Sequence, residues 1–108
     1  MQLTTEIFGE VVVVHAPEEL GRDQADSFLG FVTSLDRRNV VVDLDNTESI
    51  DSGGLEAMLK CQDLLREKAG DVTVATTNNV NRKILEITRL DQRIEVFDSV
   101  IDAVRSFV

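Results

Sequence analysis

Asp51-Ser52-Gly53-Gly54-Leu55 is the segment of this chain whose residue types and spacing could do chemistry. Two adjacent glycines in a first helical turn cost helix propensity, about 1 kcal/mol each relative to alanine, so something should compensate. Glycine there leaves the first unpaired backbone N–H groups uncovered, and another molecule could approach the helix N-terminus closely. Ser52 stands beside that opening, and a helix N-terminus favours an anion placed on it. Two readings follow from the residues alone. In one, Ser52 accepts a phosphoryl group; in the other, Asp51 or Ser52 is an ordinary N-cap and the glycines let the helix pack close against a strand.

Little else in the sequence is reactive. His15 is the only histidine and Cys61 the only cysteine, so multi-histidine metal sites, intramolecular disulfides and paired-cysteine redox motifs are excluded. His15 ends a valine run and reads as structural. Neither a P-loop nor a Rossmann glycine pattern is present. No catalytic residue, metal site or cofactor site is therefore expected, and the chain reads as a non-enzyme. A receiver-type acceptor at Asp43 or Asp45 would need an early acidic pair at a strand end and a late lysine; Glu18-Glu19 and Thr73 to Thr77 supply neither.

The segment must be positioned by one domain spanning residues 1–108, because domains commonly run to about 100 residues or more. Hydrophobic residues at 43% and charged residues at 29% suffice for one core with a solvated surface. Eleven basic against twenty acidic residues leave a net charge of -9, which repels a phosphate backbone and argues against nucleic acid. Residues 1–54 hold three basic and eleven acidic residues, or -8 of that total. No apolar run is long enough for a membrane span, and Met1 to Glu10 lacks the order of a signal peptide. With a lone cysteine, the expected location is the cytoplasm and no membrane partner is expected.

The element order follows from periodicity. Leu3 to Ile7 and Val11 to Val14 predict a hairpin turning at Phe8 to Glu10, and Asp23 opens a helix along Ala25, Phe28, Leu29, Val32 and Leu35, with Asp26 completing a capping box. Val40 to Leu44 reads as a buried strand, Asp45 to Ile50 as a polar loop, and Ser52 to Ala69 as the longest helix, stopped by Gly70. Its apolar face takes in Leu55, Met58, Leu59 and Leu65, widened by Cys61 and Leu64. Val72 to Ala75 is the next strand, Asn79 caps a helix along Val80, Ile84 and Ile87, and Ile94 to Phe97 is the last strand. Ser99 with Asp102 opens a final helix. The order β-β-α-β-α-β-α-β-α predicts an α/β domain with a mixed, mostly parallel sheet of about five strands and about four helices. Functional loops of such sheets lie beyond the carboxyl ends of the strands, here Asp45 to Gly54, Thr76 to Asn79 and His15 to Arg22. Thr76 and Asn78 would rim that face, and the basic residues of the second half read as solvated helix surfaces.

Ile50-Asp51-Ser52-Gly53-Gly54-Leu55, preceded by Val40-Val41-Val42-Asp43-Leu44, resembles the signature of the STAS domains, the anti-sigma factor antagonists. The likeness extends through the Val72 to Ala75 strand, the Asn81 to Leu90 helix whose Thr-Arg-Leu end matches the family's usual Ser/Thr-Gly-Leu, and the Ile94 to Phe97 strand. It implies that Ser52 is the phosphoacceptor of a partner anti-sigma factor that is also a serine kinase of the histidine-kinase-like ATPase fold. It further implies that the unphosphorylated form binds this kinase and frees a sigma factor, and that a metal-dependent serine phosphatase resets the cycle. Leu20, Gly21, Asp45, Glu48, Asp51, Gly53, Gly54 and Met58 are the expected partner-binding residues around Ser52. The sequence departs from the pattern at Gly21, where many members carry Asp, and at Gly53, where Ser or Thr is commoner. An alternative within the resemblance is a STAS subunit that is never phosphorylated and docks on a transporter ATPase or in a larger signalling complex. Asp45, Glu48 and Asp51 lie within a few residues of Ser52, so a phosphate is expected to enter a negative patch, and Gly53→Val is expected to obstruct a partner with limited loss of fold.

Overall fold

A computed structural model describes all residues, Met1–Val108. A five-stranded sheet runs in the order β1 (Thr5–Phe8), β2 (Val11–His15), β4 (Asn39–Asp43), β6 (Asp71–Ala75) and β7 (Val96–Phe97). Only β1 is antiparallel to its neighbour. The two-residue turn of the β1–β2 hairpin places Gly9 at φ +60°, a conformation that hairpin turns demand and glycine adopts freely. A second, two-stranded parallel sheet pairs β3 (Glu19–Leu20) with β5 (Ser49–Ile50). These strands are too short to register as period-two patterns, and β5 lies where a loop is expected.

The valine runs have a common cause. Val12, Val14, Val40, Val42, Val72 and Val74 face α1 (Arg22–Thr33) and α2 (Ser52–Arg66), packing against Phe28, Val32, Met58, Cys61 and Leu65. Val11, Val13 and Val41 face the opposite way, onto Ala103 and Val104 of α4 (Val100–Arg105). With both faces covered, every position of these valine runs is buried, and the pattern becomes a continuous apolar run instead of an alternation. Each such valine contributes about 1.5 kcal/mol or more relative to exposure.

Five expectations shift in detail. α1 starts at Arg22 with Gly21 as N-cap; Gln24 Oε1 accepts from Gly21 N (3.0 Å) and Asp51 Oδ2 from Arg22 N (3.1 Å). With those donors already satisfied, Asp23 is not the cap; it lies in the first turn, where its charge still suits the helix dipole. α3 (Asn79–Ile87) is capped by Asn78, whose Oδ1 accepts from Val80 N (2.8 Å) and Asn81 N (3.2 Å). That helix also presents a different face to the core. Val80 and Ile87 are exposed, while Leu85 and Asn81 are buried, because the Asn81 amide donates to the carbonyls of Leu44 (3.1 Å) and Thr47 (2.8 Å). Leu44 O also accepts from Thr47 N (3.0 Å), but Thr47 O has no other donor, and pairing that loop carbonyl outweighs the burial of two apolar side chains.

The end of α2 also differs. Ala69 supplies the left-handed residue, at φ 62°, and Gly70 N donates to Leu65 O (2.8 Å) in the six-to-one bond of a Schellman stop. Gly70 is needed for another reason: a Cβ there would overlap the Arg38 carbonyl. Leu64 turns outward at 38% exposure, since the buried stripe of α2 runs through Ala57, Met58, Cys61, Gln62 and Leu65. No helix is long and apolar enough to cross a membrane.

Candidate functional site

Asp51 is the hinge of the site. Its Oδ1 accepts from Gly53 N (2.8 Å) and Gly54 N (3.2 Å), capping α2, while its Oδ2 accepts from Arg22 N at the start of α1. One carboxylate thus satisfies donors at two helix N-termini. The Arg22 N–H, followed by those of Gly54 and Gly53 and by the Arg22 guanidinium, holds the Asp51 carboxyl below the usual carboxylate range. Gly21 fits this arrangement closely, since a Cβ there would lie 2.7 Å from Asp51 Oδ2. The departure at position 21 therefore makes room for the inter-helix bond.

The two glycines have structural partners. A Cβ on Gly54 would overlap the Leu20 carbonyl oxygen, and one on Gly53 would lie 2.6 Å from Arg22 Cα. What approaches the helix N-terminus is this chain's own β3 and α1. Gly53→Val accordingly collides with backbone, and the expectation of limited loss of fold is corrected: its binding defect would be inseparable from a folding defect. Leu20 and Met58 are fully buried and Gly54 is buried, so the expectation that these three touch a partner is also corrected. They set the helix and strand beneath the surface.

Ser52 occupies the first helical position of α2, exposed, with a hydroxyl that makes no hydrogen bond within the protein. It stands on the ridge between two depressions. One, of about 270 Å³ between α1 and α2, includes Arg22, Asp26, Glu56 and Lys60; the other, of about 610 Å³, lies between α2 and the Thr88–Arg93 segment and includes Glu56, Arg89 and Arg93. Four basic residues face two acidic ones across these surfaces. The expected negative patch is not assembled there. Asp51 is engaged by backbone N–H groups, and Asp45 Oδ1 accepts from Thr77 N (2.6 Å) and Thr77 Oγ1 (3.1 Å). Glu48 is exposed beside β5. Arg22, Lys60, Arg89 and Arg93 escaped the reading of the sequence because they are scattered over 72 positions and converge only when α1, α2 and the 3-10 turn Leu90–Gln92 pack. The single local signal was Arg89, standing where the resemblance leads one to expect glycine.

The remaining polar expectations fall behind the surface. Thr76 is buried and its Oγ1 accepts from Asn78 N (3.0 Å); Asn78 is the cap of α3. Cys61 is fully buried, and burial pushes its thiol up to about 12, which leaves it unreactive.

His15 ties the sheet together. Its Nδ1 lies 2.7 Å from Asp43 Oδ2 and its Nε2 2.7 Å from Glu6 Oε1, so both nitrogens donate when the ring is protonated. Burial alone would lower its pKa, but the hydrogen bonds and charges of Glu6 and Asp43 together outweigh that and raise it above 6.5. A raised folded-state value stabilises fully below the unfolded pKa and loses its effect as pH rises through the folded one. Thermal unfolding should therefore occur at progressively lower temperature as pH increases from about 6.5 into the alkaline range. His15→Gln should flatten this slope; an unchanged slope in that variant would show that other groups set it.

Comparison with known proteins places these features in context. The STAS domain profile matches residues 2–103. No curated protein matches the chain in a sequence search. Among solved structures, TM1081 of Thermotoga maritima superposes with a TM-score of 0.84 at 21% identity, covering 96% of this chain and 92% of that one. An anti-sigma factor antagonist from Mycobacterium paratuberculosis gives 0.82 at 22%, covering 97% and 92%. The phosphorylated form of the Bacillus cell fate determinant SpoIIAA gives 0.72 at 15%, covering 99% and 100%. At these identities the likeness to the solved structures is one of fold.

Proposed function

Because the chain belongs to the STAS domain family, we propose that it is an anti-sigma factor antagonist switched by phosphorylation of Ser52. The observation that carries this reading is the Ser52 hydroxyl, exposed and unbonded at the start of α2 while its neighbour Asp51 takes the capping role. A serine that merely caps would spend its oxygen on a backbone N–H. In this reading Ser52 is a substrate and the chain performs no catalysis of its own. The unphosphorylated face binds an anti-sigma factor that is also a serine kinase of the histidine-kinase-like ATPase fold, and a sigma factor is released. A phosphoryl group on Ser52 ends that binding, and a metal-dependent serine phosphatase restores it. Gly21, Gly53, Asp51, Glu48 and Asp45 belong to the loops around this face, in the cytoplasm.

The test is phosphoryl transfer. Incubation of the purified chain with ATP and extract of its source cells should add one phosphoryl group by intact mass, and Ser52→Ala should remain unmodified. An unmodified wild-type chain, or equal modification of Ser52→Ala, would count against the switch and favour a static binding subunit.

A further inference from the structure

The larger depression beside Ser52 has a chemistry of its own. The half-buried Leu55 and Leu59 of α2 supply its apolar surface over the buried Leu90, and Arg89 and Arg93 are its basic residues. Neither arginine side chain makes a hydrogen bond or ion pair within the protein, although Arg66 and Arg82 are paired with Asp71 and Asp98. Glu56 is the only acidic residue lining the depression. On a chain of net charge -9, two unpaired arginines lining one depression form a local field opposite to that of the whole protein.

The backbone of both arginines is held in place. Arg93 is fixed through its carbonyl, which accepts from Gln62 Nε2 (2.7 Å), a side chain buried in α2, and through its own N–H to Leu90 O (2.9 Å). Arg89 sits at φ 62°, ψ 21°, in the left-handed region, where glycine is unstrained and a residue with a Cβ is not. That conformation is the helix stop Ala69 also adopts after α2; what sets Arg89 apart is an exposed guanidinium with no partner inside the protein.

We infer that this groove receives an acidic amphipathic segment of the partner protein, its apolar side chains on Leu55 and Leu59 and its carboxylates toward Arg89 and Arg93. Local charge complementarity selects this occupant: Arg89 and Arg93 outnumber Glu56 in the depression, while a whole second copy would add another -9 to the repulsion. The inference deepens the proposed function by giving the chemistry of the partner at the same face. It also couples the groove to the switch, since Ser52 lines its rim, and a phosphate there would compete with the acidic segment for the arginines.

Nuclear magnetic resonance titration of the full chain tests this with two synthetic helix-forming peptides of about sixteen residues. One carries Leu at helical spacing flanked by Glu; the other replaces each Glu by Lys. The acidic peptide should shift the amides of Leu55, Leu59 and Arg89 to Arg93 and bind about tenfold more tightly than its basic counterpart at low salt, the difference shrinking at high salt. Arg89→Gly combined with Arg93→Ser should lose about tenfold in affinity for the acidic peptide, while Arg89→Gly alone should raise the melting temperature by removing the left-handed strain. Equal binding of both peptides, shifts mapping elsewhere, or full affinity in the double variant would overturn the inference. So would dilution-dependent shifts at the same residues in the free chain, which would identify a second copy as the occupant. The peptide assay requires no kinase: if it fails while Ser52 is still phosphorylated by extract, the groove is wrong and the switch stands, and the reverse pattern separates them the other way.

Discussion

Gly54→Ala should destabilise the fold by about 3 kcal/mol, the upper part of the range for overpacked sites, and lower the melting temperature by more than about 10 °C. The added methyl would overlap the Leu20 carbonyl oxygen and approach Leu20 C to 2.8 Å and Cγ to 3.1 Å. These are largely backbone atoms that cannot rotate away. Leu20 is itself fully buried, and its carbonyl accepts from Asp51 N (3.3 Å), so relief requires β3 to separate from β5 or α2 to lift off the sheet. The gain in helix propensity, about 1 kcal/mol, does not offset this. Gly30→Ala is the control. It lies within α1 with nothing within 4 Å of the added Cβ, and should gain up to about 1 kcal/mol. Denaturant or thermal unfolding of both variants checks the pair. A Gly54→Ala chain as stable as wild type would mean that α2 and β3 are not in contact as described.

If the proposed switch holds, Ser52→Asp should weaken binding to the proposed partner kinase about tenfold, and phosphoserine more, whereas Ser52→Ala should bind like wild type. A charge of -2 about 6 Å from a partner carboxylate is opposed by about 1.4 kcal/mol at the dielectric of water and by about 5 kcal/mol at an effective value of 20; aspartate carries half of that. Within the chain the field is different. Arg22 and Lys60 on one side of Ser52 and Arg89 and Arg93 on the other favour the added anion, as does the start of α2, by about 0.3 to 1 kcal/mol. Phosphorylation is thus tolerated by the protein and opposed only across the interface. That predicts little change in stability together with a large change in affinity. Calorimetry of the partner with the three forms checks the affinity, and a Ser52→Asp chain that binds as tightly as wild type would end the charge-switch account.

Much of the architecture was legible because its causes are local. The valine runs at positions 11–14 and 40–42 can be buried on both sides only in the interior of a sheet, and Ser99 caps its helix through Asp102 N (3.1 Å) as its spacing suggests. Ser52 was legible as a candidate because the Asp-Ser-Gly-Gly run is contiguous. The face of α3 was not, because its orientation is set by Asn81 reaching carbonyls 34 and 37 residues away. Nor was the role of the glycines. Their run announced a close approach, but only the packed structure shows that the approaching groups are Leu20 and Arg22 of the same chain.

The amino-acid sequence by itself determined the order of the helices and of the main-sheet strands, though not the short β3–β5 pair, the burial of the valine strands, the STAS resemblance and the position of the phosphoacceptor candidate, since each of these rests on neighbouring residues or on short periods. Tertiary structure alone decided the charge around Ser52. Asp45, Glu48 and Asp51 are near it along the chain, yet Asp45 and Asp51 are engaged by Thr77 and by helix N–H groups, and the residues brought to the Ser52 ridge include Lys60 of α2 and three arginines, Arg22, Arg89 and Arg93, from distant segments. Electrostatic interaction depends on separation in space and on hydrogen-bond commitments, neither of which is ordered by sequence distance.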